Sequence, residues 1–238
     1  RPDAVDGEIC DILEKYHVTA VELGAQSTND KVLAMNRRGH TREDIFRSAR
    51  LLKERGFELG LQMMTGLYGS NDEDSIGTAR DIISLSPDTA RIYPTVVIEN
   101  TELAELYRNG EYRPQTPEEA AVLCAKILPM FERAGIKVIR LGLHSGGDVE
   151  GSFVAGAYHP ALREMCEGHI YFDIINRALS GKEKGKYIIY VAPREVSKAS
   201  GQRRCNIEKL RELGYECRIK ENAALSARDI TLEKVNLL

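Results

Sequence analysis

Along the first 145 residues the spacing of apolar positions changes period repeatedly. From Asp6 to about Tyr16, Ile9, Ile12 and Leu13 recur at the three-to-four spacing of one helix face. His17 to Leu23 is then a short β-branched run ending at Gly24, which reads as a buried strand. Thr41-Arg42-Glu43-Asp44 has the grammar of a helix cap, and the stripe Ile45, Ala49, Leu52 behind it stops at Gly56. Phe57 to Met64 returns to strand. Asp72 to Leu85 is helical, with acids in its first turn and Pro87 beyond its end, and Thr89 to Val97 is strand. Thr116-Pro117-Glu118-Glu119 opens a third capped helix, and Ile136 to Leu143 closes the series as strand.

Strands alternating with helices through short connections make a parallel sheet with right-handed crossovers, so the fold class is α/β. Polar residues gather where these strands end: Gln26 and Ser27, Gln62 and Thr65, Tyr93 and Thr95, His144 and Ser145. In barrels and open parallel sheets, ligands bind at that rim. After about residue 180 the pattern changes. A Lys/Gly linker at 181–185 precedes a strand from Tyr187 to Ala192, a turn around Ser197 to Arg204 and a helix from about Asn206 to Leu213. A strand from Tyr215 to Lys220 and a mixed tail follow.

Composition narrows the classes. In 238 residues, 42% hydrophobic and 29% charged, no apolar run approaches the roughly 18 residues of a membrane helix, which excludes membrane-spanning and disordered readings. Cys10, Cys124, Cys166, Cys205 and Cys217 are odd in number and widely spaced. They write neither a disulfide framework nor a metal knuckle, and read as reduced thiols of a cytoplasmic protein. The net charge of −3 divides unevenly, with 11 Lys and Arg against 5 Asp and Glu between residues 182 and 220, and 20 against 28 before them. A basic module beside an acidic body is expected to meet different partners. The chain opens on Arg1-Pro2-Asp3 rather than Met, as the interior of a longer polypeptide would.

Four collinear stretches carry a family resemblance. Val21-Glu22-Leu23-Gly24-Ala25-Gln26-Ser27, followed by Met35-Asn36-Arg37-Arg38-Gly39-His40-Thr41, resembles the fourth strand and following loop of radical S-adenosylmethionine enzymes. The branch is the one holding the Elongator catalytic subunit and oxygen-independent coproporphyrinogen oxidase. Gly60 to Gly69 resembles the fifth strand, Arg91-Ile92-Tyr93-Pro94-Thr95-Val96-Val97 the sixth, and Thr101 to Tyr112 the segment after it. The match covers about residues 1–165.

The resemblance implies the C-terminal half of a partial (β/α)6 TIM-type barrel over residues 1–145. A substrate-side loop and connecting helix would follow at 146–180, and a small basic α/β module at 181–238. It implies S-adenosylmethionine as cofactor and a [4Fe-4S] cluster whose Cys-x3-Cys-x2-Cys ligands would lie upstream of Arg1. An electron donor would reduce the cluster, and cleavage of the sulfonium to a 5′-deoxyadenosyl radical would follow. No metal ligand is expected in this chain, which alone would be inactive. Gln26 would contact the cofactor ribose, because a diol needs an amide that both donates and accepts. Arg38, twelve residues on, would pair with the methionine carboxylate through its planar fork. Glu22 is either a ligand pointing inward or the partner of a basic group on a neighbouring strand. Ser27 and Gln62 are further cofactor candidates, Gln62 standing where coproporphyrinogen oxidases carry an acid, and Tyr93 and Pro94 would flank the adenine.

His144, Ser145, Asp148, Tyr158 and His159 make the densest polar group after the last barrel strand, and His144, Ser145 and Tyr158 are the candidate substrate contacts. No catalytic residue can be named. In the second module, Val196 to Ile207 resembles the Gly-x-x-Gly turn of K-homology domains, with Arg204 in place of the second glycine. Lys198, Arg203 and Arg204 would meet a phosphate there. The expected substrate is a modified nucleoside or nucleotide, queuosine salvage among the options, or a tRNA base in a tRNA-modifying or lyase reaction. The alternative is a cluster-free protein that binds RNA through the basic module.

Overall fold

The structure, a computed structural model, describes residues 1–143 and 151–235, which form two compact units, Arg1–Pro160 and Ala161–Leu238.

The first unit is built on four parallel strands in the order β1 (Ala20–Gln26), β2 (Glu58–Thr65), β3 (Thr89–Pro94) and β5 (Lys137–Leu141). Helices α3 (Arg42–Glu54), α4 (Asp72–Ser84) and α6 (Pro117–Arg133) pack on one face of this sheet. There the alternate residues Leu23, Ala25, Leu59, Leu61, Met63, Ala90 and Ile92 are buried. Each helix starts at a closed capping box: Thr41 with Asp44, Asn71 with Asp74, Thr116 with Glu119. Such caps satisfy two orphan backbone donors each and fix where the helix begins.

The α/β class and the parallel sheet are as the pattern predicts, with local differences. The first strand starts at Ala20, because His17 turns the chain at φ 56°, and runs on through a bulge between Gly24 and Gln26. The run Thr89 to Val97 splits after Pro94. Thr95 sends both its N–H and its hydroxyl to the Thr65 carbonyl, at 2.9 and 2.8 Å, and the chain leaves the sheet to form β4 (Val96–Ile98). This strand pairs antiparallel with β6 (Phe153–Gly156). Helices α2 (Asp30–Met35) and α5 (Glu102–Arg108) escape the periodicity because six and seven residues are too few to establish a helical stripe.

The second unit is a three-stranded sheet in the order β8 (Tyr215–Glu221), β7 (Gly185–Val191), β9 (Ile230–Lys234), parallel on the β8 side and antiparallel on the β9 side. It packs on α7 (Leu162–Leu179) and α9 (Cys205–Glu212), and the short α8 (Val196–Ser200) precedes the turn. Its core joins Tyr171, Ile175 and Leu179 of α7 to Ile189, Leu210 and Tyr215. The helix expected as a connector is therefore part of this unit, which begins at Ala161 rather than 181. Part of the expected mixed tail is strand β9.

Candidate cofactor site

Opposite the helices, the sheet presents an open polar face. Period-two alternation puts Glu22 on β1, Gln62 and Met64 on β2, and Arg91 and Tyr93 on β3 along it, all at least partly exposed. These side chains form one network. Arg91 Nε lies 2.7 Å from Glu22 Oε1, Gln62 Nε2 donates to Glu22 Oε2 at 3.1 Å, and Arg91 Nη1 donates to the Tyr93 hydroxyl at 3.2 Å. The Tyr93 hydroxyl and then Glu22 hold the Arg91 guanidinium pKa above its ordinary value. Glu22 thus pairs with a basic group two strands away, on β3 rather than on the adjacent β2. Arg91 is a member that sequence reasoning missed, although its place beside Tyr93 in the alternation Ala90, Arg91, Ile92, Tyr93 was a usable signal.

At the C-terminal rim, Gln26 closes β1 at φ 64° and is 8% exposed. Its side chain folds back over Gly24, where an added Cβ would meet the Gln26 amide nitrogen at 2.4 Å. Ser27 serves the turn, accepting from the Asn29 backbone at 3.1 Å beside Thr78, and is 3% exposed. Tyr93 and Pro94 fall on opposite faces: Tyr93 is on the open side and Pro94 is buried. Their side chains cannot flank one ligand as a pair, because successive strand residues alternate.

The loop after α2 returns to this rim. His40 Nε2 donates to the Ala25 carbonyl at 3.1 Å, one residue before Gln26, while its buried Nδ1 has no partner. Arg38 lines a cavity of 240 Å³ with Met64, Tyr68 and Thr95, and across its mouth Arg37 pairs with Glu102 at 2.7 Å. Arg38 Nε is buried without a hydrogen-bond partner among the described residues. Burial first and Arg1 second push the guanidinium pKa below its ordinary value. A cation so placed favours an anionic ligand, since the low-dielectric surroundings offer it no counter-charge.

A larger cavity of 630 Å³ lies between the Gly66–Asp72 loop and the segment from Glu111 to Glu119. Tyr112 holds the two together, donating to the Gly66 carbonyl at 2.6 Å, and burial pushes its hydroxyl pKa up to about 12. Tyr158 follows β6 with its ring 5.6 Å from that of Phe153. His144, Ser145 and Asp148 lie outside the described residues.

S-adenosylmethionine fits the residues present. The orphaned Arg38 Nε offers a carboxylate partner, and the Gln26 amide lies at the adjoining strand end above a glycine that leaves it room. An iron–sulfur cluster does not fit the described residues. No group of three His, Cys, Asp or Glu among them could hold a metal, and none of the five cysteines is in a disulfide. Burial raises Cys124 to about 12 and Cys217 to about 11, which favours thiol over the ligating thiolate.

In the second unit the three expected phosphate contacts separate. Lys198 Nζ is held at 2.7 Å by Glu195 and lies 3.9 Å from Glu167, so its charge is already met. Arg203 and Arg204 are exposed, at φ 52° and 65°.

A Radical SAM superfamily model matches residues 1–82, and a Radical_SAM C-terminal domain model matches residues 87–171. The tRNA uridine(34) acetyltransferase of Methanocaldococcus jannaschii is 35% identical over 139 residues, 56% of this chain and 26% of that protein. Elongator complex protein 3 of Homo sapiens is 33% identical over 140 residues, 55% of this chain and 24% of that protein. The solved structure of archaeal Methanocaldococcus infernus Elp3 with residues 1–46 deleted superposes with a TM-score of 0.61 at 27% identity. It covers 73% of this chain and 45% of that one. The chain thus spans about a quarter of the length of these curated relatives. No helix among the described residues is long and apolar enough to cross a membrane.

Proposed function

We propose that this chain, which belongs to the radical SAM superfamily, is the part of a tRNA-modifying radical enzyme that holds the ribose and amino-acid ends of S-adenosylmethionine. The observation that carries the reading is the buried Nε of Arg38, without a hydrogen-bond partner among the described residues, in the wall of a cavity it shares with Met64 of β2 and Thr95. Bound beside a reducing cluster, the cofactor supplies one-electron hydrogen-abstraction chemistry to this family. The cluster and its electron donor are expected from elsewhere in the enzyme.

The residues of this chain bind and orient. Arg38 pairs its guanidinium with the methionine carboxylate, which relieves the desolvation it suffers alone. Gln26 offers its amide to the ribose diol. Tyr93 is the aromatic available to the base on the open face, and Arg91 fixes its hydroxyl. Glu22 acts at one remove by holding Arg91, and Gln62 by holding Glu22. Pro94 and Ser27, buried in structural roles, act through backbone position. Tyr158, with His144 and Ser145, is assigned to the substrate side.

A tRNA base is the preferred substrate, because the relatives in the preceding comparison are named for tRNA uridine(34) and for Elongator. A free nucleoside such as queuosine, and a lyase reaction, draw no support from them.

Equilibrium dialysis of labelled S-adenosylmethionine against the protein tests the assignment. Arg38→Ala is expected to raise Kd at least about tenfold, or about 1.4 kcal/mol, while Arg37→Ala changes it little. Equal affinity of wild type and Arg38→Ala, or no binding by the wild type, would remove the basis of the proposal.

A further inference from the structure

The two family models end at residue 171, yet the second unit has a cavity of its own. It measures 530 Å³ and lies among α9, β7 and β8. Arg204, Arg211 and Arg218 contribute its charged lining, and Ile188 and Ile207 contribute apolar surface. Its acid, Glu216, is already engaged by Lys186 at 3.5 Å, the residue opposite it in the β7–β8 register. The three arginines have no acidic partner among the described residues. They are exposed, while Tyr215 and Cys217 on either side of Glu216 point into the core.

Three like charges on one cavity repel one another, and an anion placed between them relieves that cost. Guanidinium forks match phosphate oxygens two at a time. The apolar lining argues against a bare inorganic ion and suits a ligand that also carries sugar and base surface. Its volume is within the range of nucleotide-sized sites, about 300–1,000 Å³. Arg204 stands in the turn that opens α9, and Arg211 lies in the last turn of that helix, about 10 Å along its axis at 1.5 Å per residue. The guanidiniums, spread over the start of α9, its last turn and β8, match successive phosphodiesters of one strand. Strand β8 is the sheet edge, so no further strand of the sheet flanks it on that side.

We infer that this cavity binds the sugar–phosphate backbone of a single-stranded RNA segment. The choice of RNA rests on the proposed tRNA-modifying function; the cation-lined cavity does not depend on S-adenosylmethionine. The site differs from the expected Lys198, Arg203, Arg204 clamp, because Lys198 is neutralised by Glu195 and the arginines of α9 and β8 take its place.

Fluorescence anisotropy of the full chain with a labelled oligouridylate of about twelve nucleotides, at several salt concentrations, tests the site. Replacing Arg211 and Arg218 together by Gln removes two phosphate contacts. The expected results are about a tenfold loss of affinity at 0.15 M salt and a log–log salt slope shallower by about 1.4. Arg204→Gly, which suits the left-handed backbone, is expected to flatten the slope by about 0.7. Circular dichroism checks folding of each variant. Uridine monophosphate and tripolyphosphate should compete poorly. Competition by either at the RNA's own strength would overturn the backbone site in favour of a mononucleotide or polyanion pocket. Unchanged affinity and slope in the folded arginine variants would overturn the site while leaving an RNA substrate standing. Absence of RNA binding by the wild type at low salt would overturn both, without touching the S-adenosylmethionine titration.

Discussion

Arg91 on β3 reaches across β2 to place its Nε 2.7 Å from Glu22 Oε1 on β1, and the residue opposite Glu22 on the intervening strand is Gly60. A Cβ at Gly60 would stand 2.6 Å from Glu22 Cγ and 3.0 Å from Thr89 Oγ1. The missing side chain is what lets the two charged groups meet over the middle strand.

Gly60→Ala is therefore expected to cost about 1–3 kcal/mol in urea unfolding, as overpacking does. In a Glu22→Ala background the cost should drop below about 1 kcal/mol, because the first atom met is gone. Equal costs in both backgrounds would show that the glycine serves the backbone rather than the ion pair.

Removing Arg38 should cost affinity and not stability. Its Nε is buried without a partner, and burial disfavours its charge. Arg38→Leu is expected to keep or raise Tm in calorimetry. A fall of more than about 1 kcal/mol would assign the guanidinium a structural role.

Stability should fall at high pH through Cys124. Burial in α6 raises its pKa from 9.0 to about 12 in the folded chain. The unfolded thiol ionises first, so the stabilisation is complete below pH 9 and is lost as the pH rises toward 12. Tyr112, raised from 10.0 to about 12 by burial, adds a loss of the same sign starting higher. Urea midpoints measured from pH 7 to 11 should decline, and Cys124→Ala should make the decline shallower. An unchanged pH profile in that variant would exclude the thiol as the cause.

The turn before α9 holds Arg203 and Arg204 at φ 52° and 65°, a region that side chains branched at Cβ avoid. Arg204→Gly should leave Tm level or higher, and Arg204→Val should lower stability by more than about 1 kcal/mol. Equal melting of the two variants would show that the turn readjusts.

The sequence by itself determined the three long helices that cover the sheet and the fold class. Thr41 with Asp44, Asn71 with Asp74 and Thr116 with Glu119 cap helices through contacts three residues apart, so the information lies within each segment. Alternation marked β2 and β3, and the family resemblance singled out Gln26 and Arg38 as candidates. Only the tertiary structure decided which side chains meet. Glu22 meets Arg91 diagonally, two residues along β3 from its register partner Thr89 and over the space left by Gly60, and Lys198 lies 3.9 Å from Glu167 of α7. It also assigned α7 to the second unit, through Tyr171, Ile175 and Leu179 packing against β7. Caps and periods are short-range hydrogen bonds and burial patterns that a segment carries alone. Register, sheet order and the sharing of charge depend on residues dozens of positions apart, which the chain brings together only when it folds.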